Sequence, residues 1–90
     1  MREVVRSTAF KKDVKRAEKR GKAMAKLKAI ILLLLEDKPL ETRHRDHPLK
    51  GNWIGYRDLH IEPDWLLLYR VAETELMLAR TGTHSDLFGE

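Results

Sequence analysis

The chain has 90 residues and a mass of 10.5 kDa, enough for a single domain over 1–90 around one modest core, since a domain this small buries only about 60–65% of its unfolded surface. Hydrophobic residues at 42% and charged residues at 36% describe a globular chain and not a disordered one, and the lack of cysteine excludes disulfides and thiolate metal sites. The net charge of +4 hides an asymmetry: residues 1–30 hold eleven Lys and Arg against three acids, whereas residues 31–90 hold seven against eleven. The first part would draw a polyanion such as nucleic acid; the plainer reading is the solvated face of a helix.

MREVVRSTAF has no apolar stretch behind its charges, so no signal peptide is expected. The longest apolar run, Ala29 to Leu35, is far short of the roughly 20 residues that cross a bilayer. A soluble, cytoplasmic protein with no membrane partner is the expectation.

Arg2 to Arg6 reads as a short strand, with Ser7 or Thr8 as N-cap of the helix that follows. In that helix Phe10, Val14 and Ala17 form an apolar stripe, while Lys11, Lys12, Lys15, Arg16, Lys19 and Arg20 fill the remaining arc up to a stop near Gly21. Met24, Leu27, Ile30, Ile31, Leu34 and Leu35 repeat at helical spacing and predict a second helix ending before Pro39. Leu40 to Asn52, with Pro48 and Gly51, reads as a loop. Three strands follow, Tyr56 to Glu62, Trp65 to Val71 and Glu75 to Thr81, joined by turns at Pro63-Asp64 and Ala72-Glu73-Thr74. The order β-α-α-β-β-β predicts an α+β fold, an antiparallel sheet with a two-helix hairpin on one face and the other face open to a ligand.

Alternation in the first of these strands puts Leu59 and Ile61 toward the helices and Asp58 and His60 on the open face. His60, Asp64, Arg80 and His84 then converge near strand ends, with Trp65 and Phe88 as aromatic walls. Taken singly, each has a plainer reading: Asp64 as a turn residue, Trp65 as core, Arg80 as a surface charge, and the tail carrying His84 and Phe88 as frayed. As a set they suit RNA cleavage by the substrate's own 2′-hydroxyl, which needs a base, a cation for the phosphorane and an acid for the leaving oxygen, and no metal. Aromatic rings can hold unstacked bases. A zinc site from His44, His47, Asp46 and His84 is disfavoured, because the loop fixes no geometry. His44 reads as solvated.

DHPLKGNW from Asp46, GYRDLHIEPDW from Gly55 and RTGTHSDLFG from Arg80 closely resemble the YafQ toxins, a branch of the RelE/ParE superfamily of bacterial type II toxin-antitoxin systems. The resemblance covers essentially the whole chain and implies a RelE-like fold. It further implies a ribosome-dependent, metal-independent mRNA interferase that cuts the message in the ribosomal A site without a cofactor and is neutralised by a DinJ-type antitoxin. The family's functional residues fall on His47, His60, Asp64, Trp65, Arg80, His84 and Phe88. The expected roles are His60, His47 and Asp64 on the base side, His84 as general acid, Arg80 on the phosphorane, and Trp65 and Phe88 against bases. Lys11, Lys12, Lys15, Arg16, Lys19 and Arg20 would grip ribosomal RNA while the sheet face meets the message. Two alternatives share the fold: a ParE-like gyrase inhibitor, and a family member that no longer cuts.

Overall fold

The computed structural model describes residues 2–89. Met1 and Glu90, the ends of the expected domain, lie outside the described residues. Strand β1 (Glu3–Arg6) leads into helices α1 (Thr8–Lys19) and α2 (Met24–Leu35), followed by strands β2 (His47–Pro48), β3 (Arg57–Glu62), β4 (Trp65–Val71) and β5 (Glu75–Gly82) and helix α3 (His84–Phe88). The sheet order is β1-β5-β4-β3-β2.

The expected α+β architecture is present, with three differences. Pairing is antiparallel from β2 to β5, but β1 runs parallel to β5, with Glu3 opposite Glu75. A parallel pair needs a long crossover, which the helical hairpin supplies. Within the expected loop, His47 and Pro48 pair with Asp58 and Arg57 and add a strand; proline is tolerated there because the outer side of an edge strand needs no N–H. The tail is a capped helix: the Thr83 hydroxyl accepts from Asp86 N–H at 3.0 Å, and the Asp86 carboxylate accepts from Thr83 N–H at 3.0 Å.

Local chemistry fixes the first helix at both ends. The Ser7 hydroxyl accepts from Phe10 N–H at 2.9 Å and donates to the Ala79 carbonyl at 2.7 Å, so one side chain caps α1 and ties it to β5. At the other end Gly21 has φ +76°, and the N–H groups of Gly21 and Lys22 return to the carbonyls of Glu18 and Ala17. This left-handed stop favours glycine and turns the chain directly into α2.

Phe10 and Ala17 from α1 and Leu27, Ile30 and Leu34 from α2 pack on Leu59, Ile61, Trp65, Leu67, Tyr69, Leu76 and Leu78 of the sheet. Trp65 belongs to this core. It is 1% exposed, and its indole N–H donates to the Thr81 hydroxyl at 3.0 Å, which in turn donates to the Leu66 carbonyl at 2.7 Å. The expectation that Trp65 stacks on a base is therefore corrected: strand alternation sets it beside Leu67 and Tyr69, on the helix side, where no ring face is free. Trp65→Phe is expected to lower stability by about 1–3 kcal/mol through the missing donor and unfilled volume. Urea unfolding measures this, and cleavage per folded molecule should stay as in the wild type.

Candidate active site

The sheet face away from the helices carries two rows of residues across the strands. His47, Asp58, Leu68 and Arg80 are opposite one another on β2, β3, β4 and β5, and His60, Leu66 and Gly82 form the next row. Leu66 and Leu68 are fully buried and make an apolar floor with the polar groups at either side. Beyond the second row lie the Pro63-Asp64 turn and the start of α3.

Asp64 and His84 form a tight pair. One Asp64 carboxylate oxygen accepts both the His84 backbone N–H at 2.9 Å and the His84 Nδ1–H at 2.6 Å. These bonds, the backbone one foremost, hold the Asp64 carboxyl below its usual range. The imidazoles of His60 and His84 meet edge-on, with centroids 5.4 Å apart.

Hydrogen bonding also sets the ring tautomers. His60 Nδ1 lies 3.2 Å from the Pro63 carbonyl, and His47 Nδ1 lies 2.6 Å from the Arg45 carbonyl. A carbonyl only accepts, so Nδ1 carries the hydrogen in each ring and leaves Nε2 for proton exchange. His47, His60 and His84 thus each use Nδ1 as an anchor. His44, expected to be solvated, uses the same device for structure: it is 7% exposed, and its Nδ1–H donates to the His60 carbonyl at 2.6 Å. Strand β2 ends at Pro48, pairing only with Arg57 and Asp58, so His44 covers the outer edge of β3 where His60 would otherwise lack a partner.

Arg80 is gripped from behind. Strand β1 ends at Arg6, opposite Leu78, which leaves the later part of β5 unpaired on that side. Asp13 of α1 fills the gap. Its carboxylate takes the Arg80 guanidinium at 2.6 and 3.1 Å, the Thr81 N–H at 3.1 Å and Arg16 at 2.8 Å. The Arg80 side chain remains 26% exposed.

Arg16 and Arg20, expected with the lysines on the RNA-binding basic face, also pair with acids of the fold while their side chains stay 39% and 44% exposed. Arg20 bonds Asp86 at 2.6 and 3.2 Å, and Arg16 lies 3.7 Å from the same carboxylate. This clasp ties α3, and with it His84, to α1. Gly82 lets the elements close, because a Cβ there would meet the Asp86 carboxylate at 2.9 Å. Lys11, Lys12, Lys15 and Lys19 stay exposed. Phe88, one turn after His84, also remains at the surface.

The clasp has a pH signature. Asp86 is held well below the usual carboxylate range, chiefly by the Arg20 hydrogen bond, and Glu62 is lowered by Lys26 and then Lys22. Such groups bind protons more weakly folded than unfolded. Their stabilisation is complete above the ordinary carboxylate pKa of about 4 and fades as pH falls through the folded values. The loss of Tm caused by Asp86→Asn should therefore be larger at pH 7 than at about pH 2.5, which thermal unfolding at the two pH values measures.

A family model for YafQ, described as a bacterial toxin of type II toxin-antitoxin systems, matches residues 2–89. The chain belongs to the YafQ family. It is 49% identical over 89 residues to the mRNA interferase toxin YafQ of Escherichia coli strain K12, covering 98% of this chain and 97% of that one. The crystal structure of YafQ from E. coli strain BL21(DE3) superposes with a TM-score of 0.93 at 48% identity, covering 99% of this chain and all of that one. YafQ in the E. coli DinJ-YafQ complex gives a TM-score of 0.92 at 49% identity, again over 99% and 100% of the two chains. Membership in the YafQ family sets the ParE branch aside.

Of the residues named from the sequence, His47, His60, Asp64 and His84 gather at one end of the sheet, with Phe88 on the same short helix as His84. Arg80 shares a row with His47. Trp65 falls outside the open face, in the core. Asp58 and Asp13 were missed as site residues, although Asp58 alternates with His60 on one strand and Asp13 stands in the stripe of Phe10 and Ala17.

Proposed function

We propose that this chain, as a single toxin domain, is an mRNA interferase that cleaves message in the ribosomal A site by attack of the substrate's 2′-hydroxyl on the adjacent phosphate. The observation that carries the reading is the set of three histidines from β2, β3 and α3, each anchored through Nδ1 and each keeping Nε2 for a proton. His60, assisted by His47, takes the proton of the 2′-hydroxyl. His84 gives a proton to the departing 5′-oxygen. Asp64, expected on the base side, belongs with the acid, because its carboxylate faces the His84 Nδ1–H and favours the cationic imidazole. Arg80, oriented by Asp13, meets the negative charge that grows on the phosphorane. Phe88 holds a base. The chemistry balances on side chains and substrate alone and calls for no cofactor.

Mapping fragment ends after reaction on programmed ribosomes tests this. A-site cuts that leave a 2′,3′-cyclic phosphate and a 5′-hydroxyl are expected; intact message with ribosomes bound would overturn the nuclease reading.

The four exposed lysines of α1 are the proposed grip on ribosomal RNA. Reversing Lys11, Lys12 and Lys15 to Glu should weaken ribosome binding and flatten the slope of log K against log salt by about one for each phosphate no longer neutralised. Arg16 is left intact in that experiment, because reversing it would break the clasp on Asp13 and Asp86. E. coli YafQ occurs in a complex with DinJ, and a DinJ-type antitoxin, acidic overall, is the proposed partner that silences this chain in the cytoplasm. Among the described residues no helix is long and apolar enough to cross a membrane.

A further inference from the structure

Asp58 is buried at 5% exposure on the same face of β3 as His60, and its Oδ1 has no hydrogen-bond partner. Its other oxygen lies 3.7 Å from Nε2 of His47, the residue directly opposite in the ladder. An orphaned carboxylate oxygen is rare, because burying it without a partner is costly. The groups facing it explain why it persists: His47 from β2, His60 from its own strand and His84 from α3, opposed by one like charge, Asp46. Asp46 is itself occupied by the Tyr69 hydroxyl at 2.6 Å and Arg57 at 3.1 Å. On the β4 side stands only Leu68, with Arg80 one strand further along the row.

We propose that Asp58 is a positioning residue of the cleavage site, a buried anion that fixes His47 across the ladder and supplies the fixed negative charge toward which the cationic imidazoles are drawn. This rests on the nuclease reading above and deepens it. During the reaction one imidazole gains a proton from the 2′-hydroxyl while another loses one to the leaving oxygen, so the cluster keeps a positive charge throughout. A fixed carboxylate beside His47 stabilises that charge wherever the proton stands, without touching substrate. Burial raises the Asp58 pKa, and the nearby histidines, His47 first, oppose the rise.

Asp58→Asn keeps the shape and removes the charge. Cleavage on programmed ribosomes should slow about tenfold or more with KM for ribosomes unchanged. The alkaline limb of the pH-rate profile should move to lower pH, since a neutral amide no longer favours the protonated acid. In the free protein, the ¹⁵N-detected titration of the His47 imidazole should likewise move to lower pH in the variant. A variant that is less stable but has an unmoved pH profile and an unmoved His47 titration would reduce Asp58 to a structural residue and overturn the proposal. If Asp58→Asn does not fold, the ¹³C titration of the Asp58 carboxyl in His47→Gln gives the same test: a midpoint higher than in the wild type supports the coupling, and an unchanged one overturns it. A wild type that leaves message intact would sink the nuclease reading instead, and the two titrations would still judge the link between Asp58 and His47.

Discussion

Replacing His84 by alanine is expected to slow message cleavage on programmed ribosomes by about 10²–10⁴-fold, the usual contribution of a positioned general acid. The 5′-oxygen of a ribose is a poor leaving group as an alkoxide, so a missing proton donor falls directly on the transition state. His84 fits the task because the Asp64 carboxylate faces its Nδ1–H, which stabilises the charged ring and aims Nε2 outward. The effect should lie in kcat. The His84 backbone N–H still reaches Asp64 in the alanine variant, and both side chains are solvent-accessible, so the Tm should move only a few degrees. His84→Gln should be as slow, since an amide donates a hydrogen bond without transferring a proton. Asp64→Asn should fall between, with the alkaline limb of the pH-rate profile at lower pH. A full cleavage rate with an unchanged pH profile in His84→Ala would remove the acid assignment.

The parts of this molecule that the sequence discloses are those with local causes. Ser7, Gly21 and the spacing of Phe10, Val14 and Ala17 each declare a cap, a stop or a face within a few residues, and α1 and α2 lie where those signals place them. The β3-β4 turn at Pro63-Asp64 is equally local. What is not legible is decided by partners far along the chain. Strand β2 has two residues, one of them a proline, and it is a strand only because β3 offers an edge. His44 looks like a loop histidine until the same edge, farther along, needs a donor. Asp13 looks like one more polar residue of a charged helix; its place on the apolar stripe is the signal, but the consumer of its charge, Arg80, is 67 residues away. Trp65 illustrates the opposite error, since a motif position suggested a stacking platform while strand alternation already assigned the ring to the core.

A common device links these misses. Each edge of the sheet that outruns its neighbouring strand is closed by a side chain, and that side chain fixes a residue of the site: His44 on the backbone of His60, and Asp13 on Thr81 and Arg80. Edge strands need such covers for stability and solubility. Here the covers also orient the histidine and the arginine on which the proposed chemistry depends, so the stability of the sheet and the geometry of the site are not separable.

Asp13→Ala makes that coupling measurable. Removing one member of a buried, hydrogen-bonded ion pair usually costs about 3–5 kcal/mol, because the abandoned charge is worth more than the pair itself. Arg80 is a quarter exposed and can recover some water, so a value near the lower end, about 3 kcal/mol, is expected. In a domain of this size that corresponds to a fall in Tm of roughly 10–20 °C. The Thr81 N–H, buried beside the core, loses its acceptor as well. Arg16→Ala, by contrast, should cost only about 1 kcal/mol, since its side chain is 39% exposed and water screens its pairing. Cleavage distinguishes the two roles of Asp13. Measured below the lowered Tm, the folded fraction of Asp13→Ala should still cut more slowly than wild type, because a guanidinium freed from its carboxylate no longer points consistently at the phosphate. Arg80→Lys, which keeps the charge but loses the two-pronged bond to Asp13, should show the same loss in kcat with a smaller loss in stability. Wild-type turnover from folded Asp13→Ala would mean that Asp13 only closes an edge and that Arg80 finds its substrate unaided.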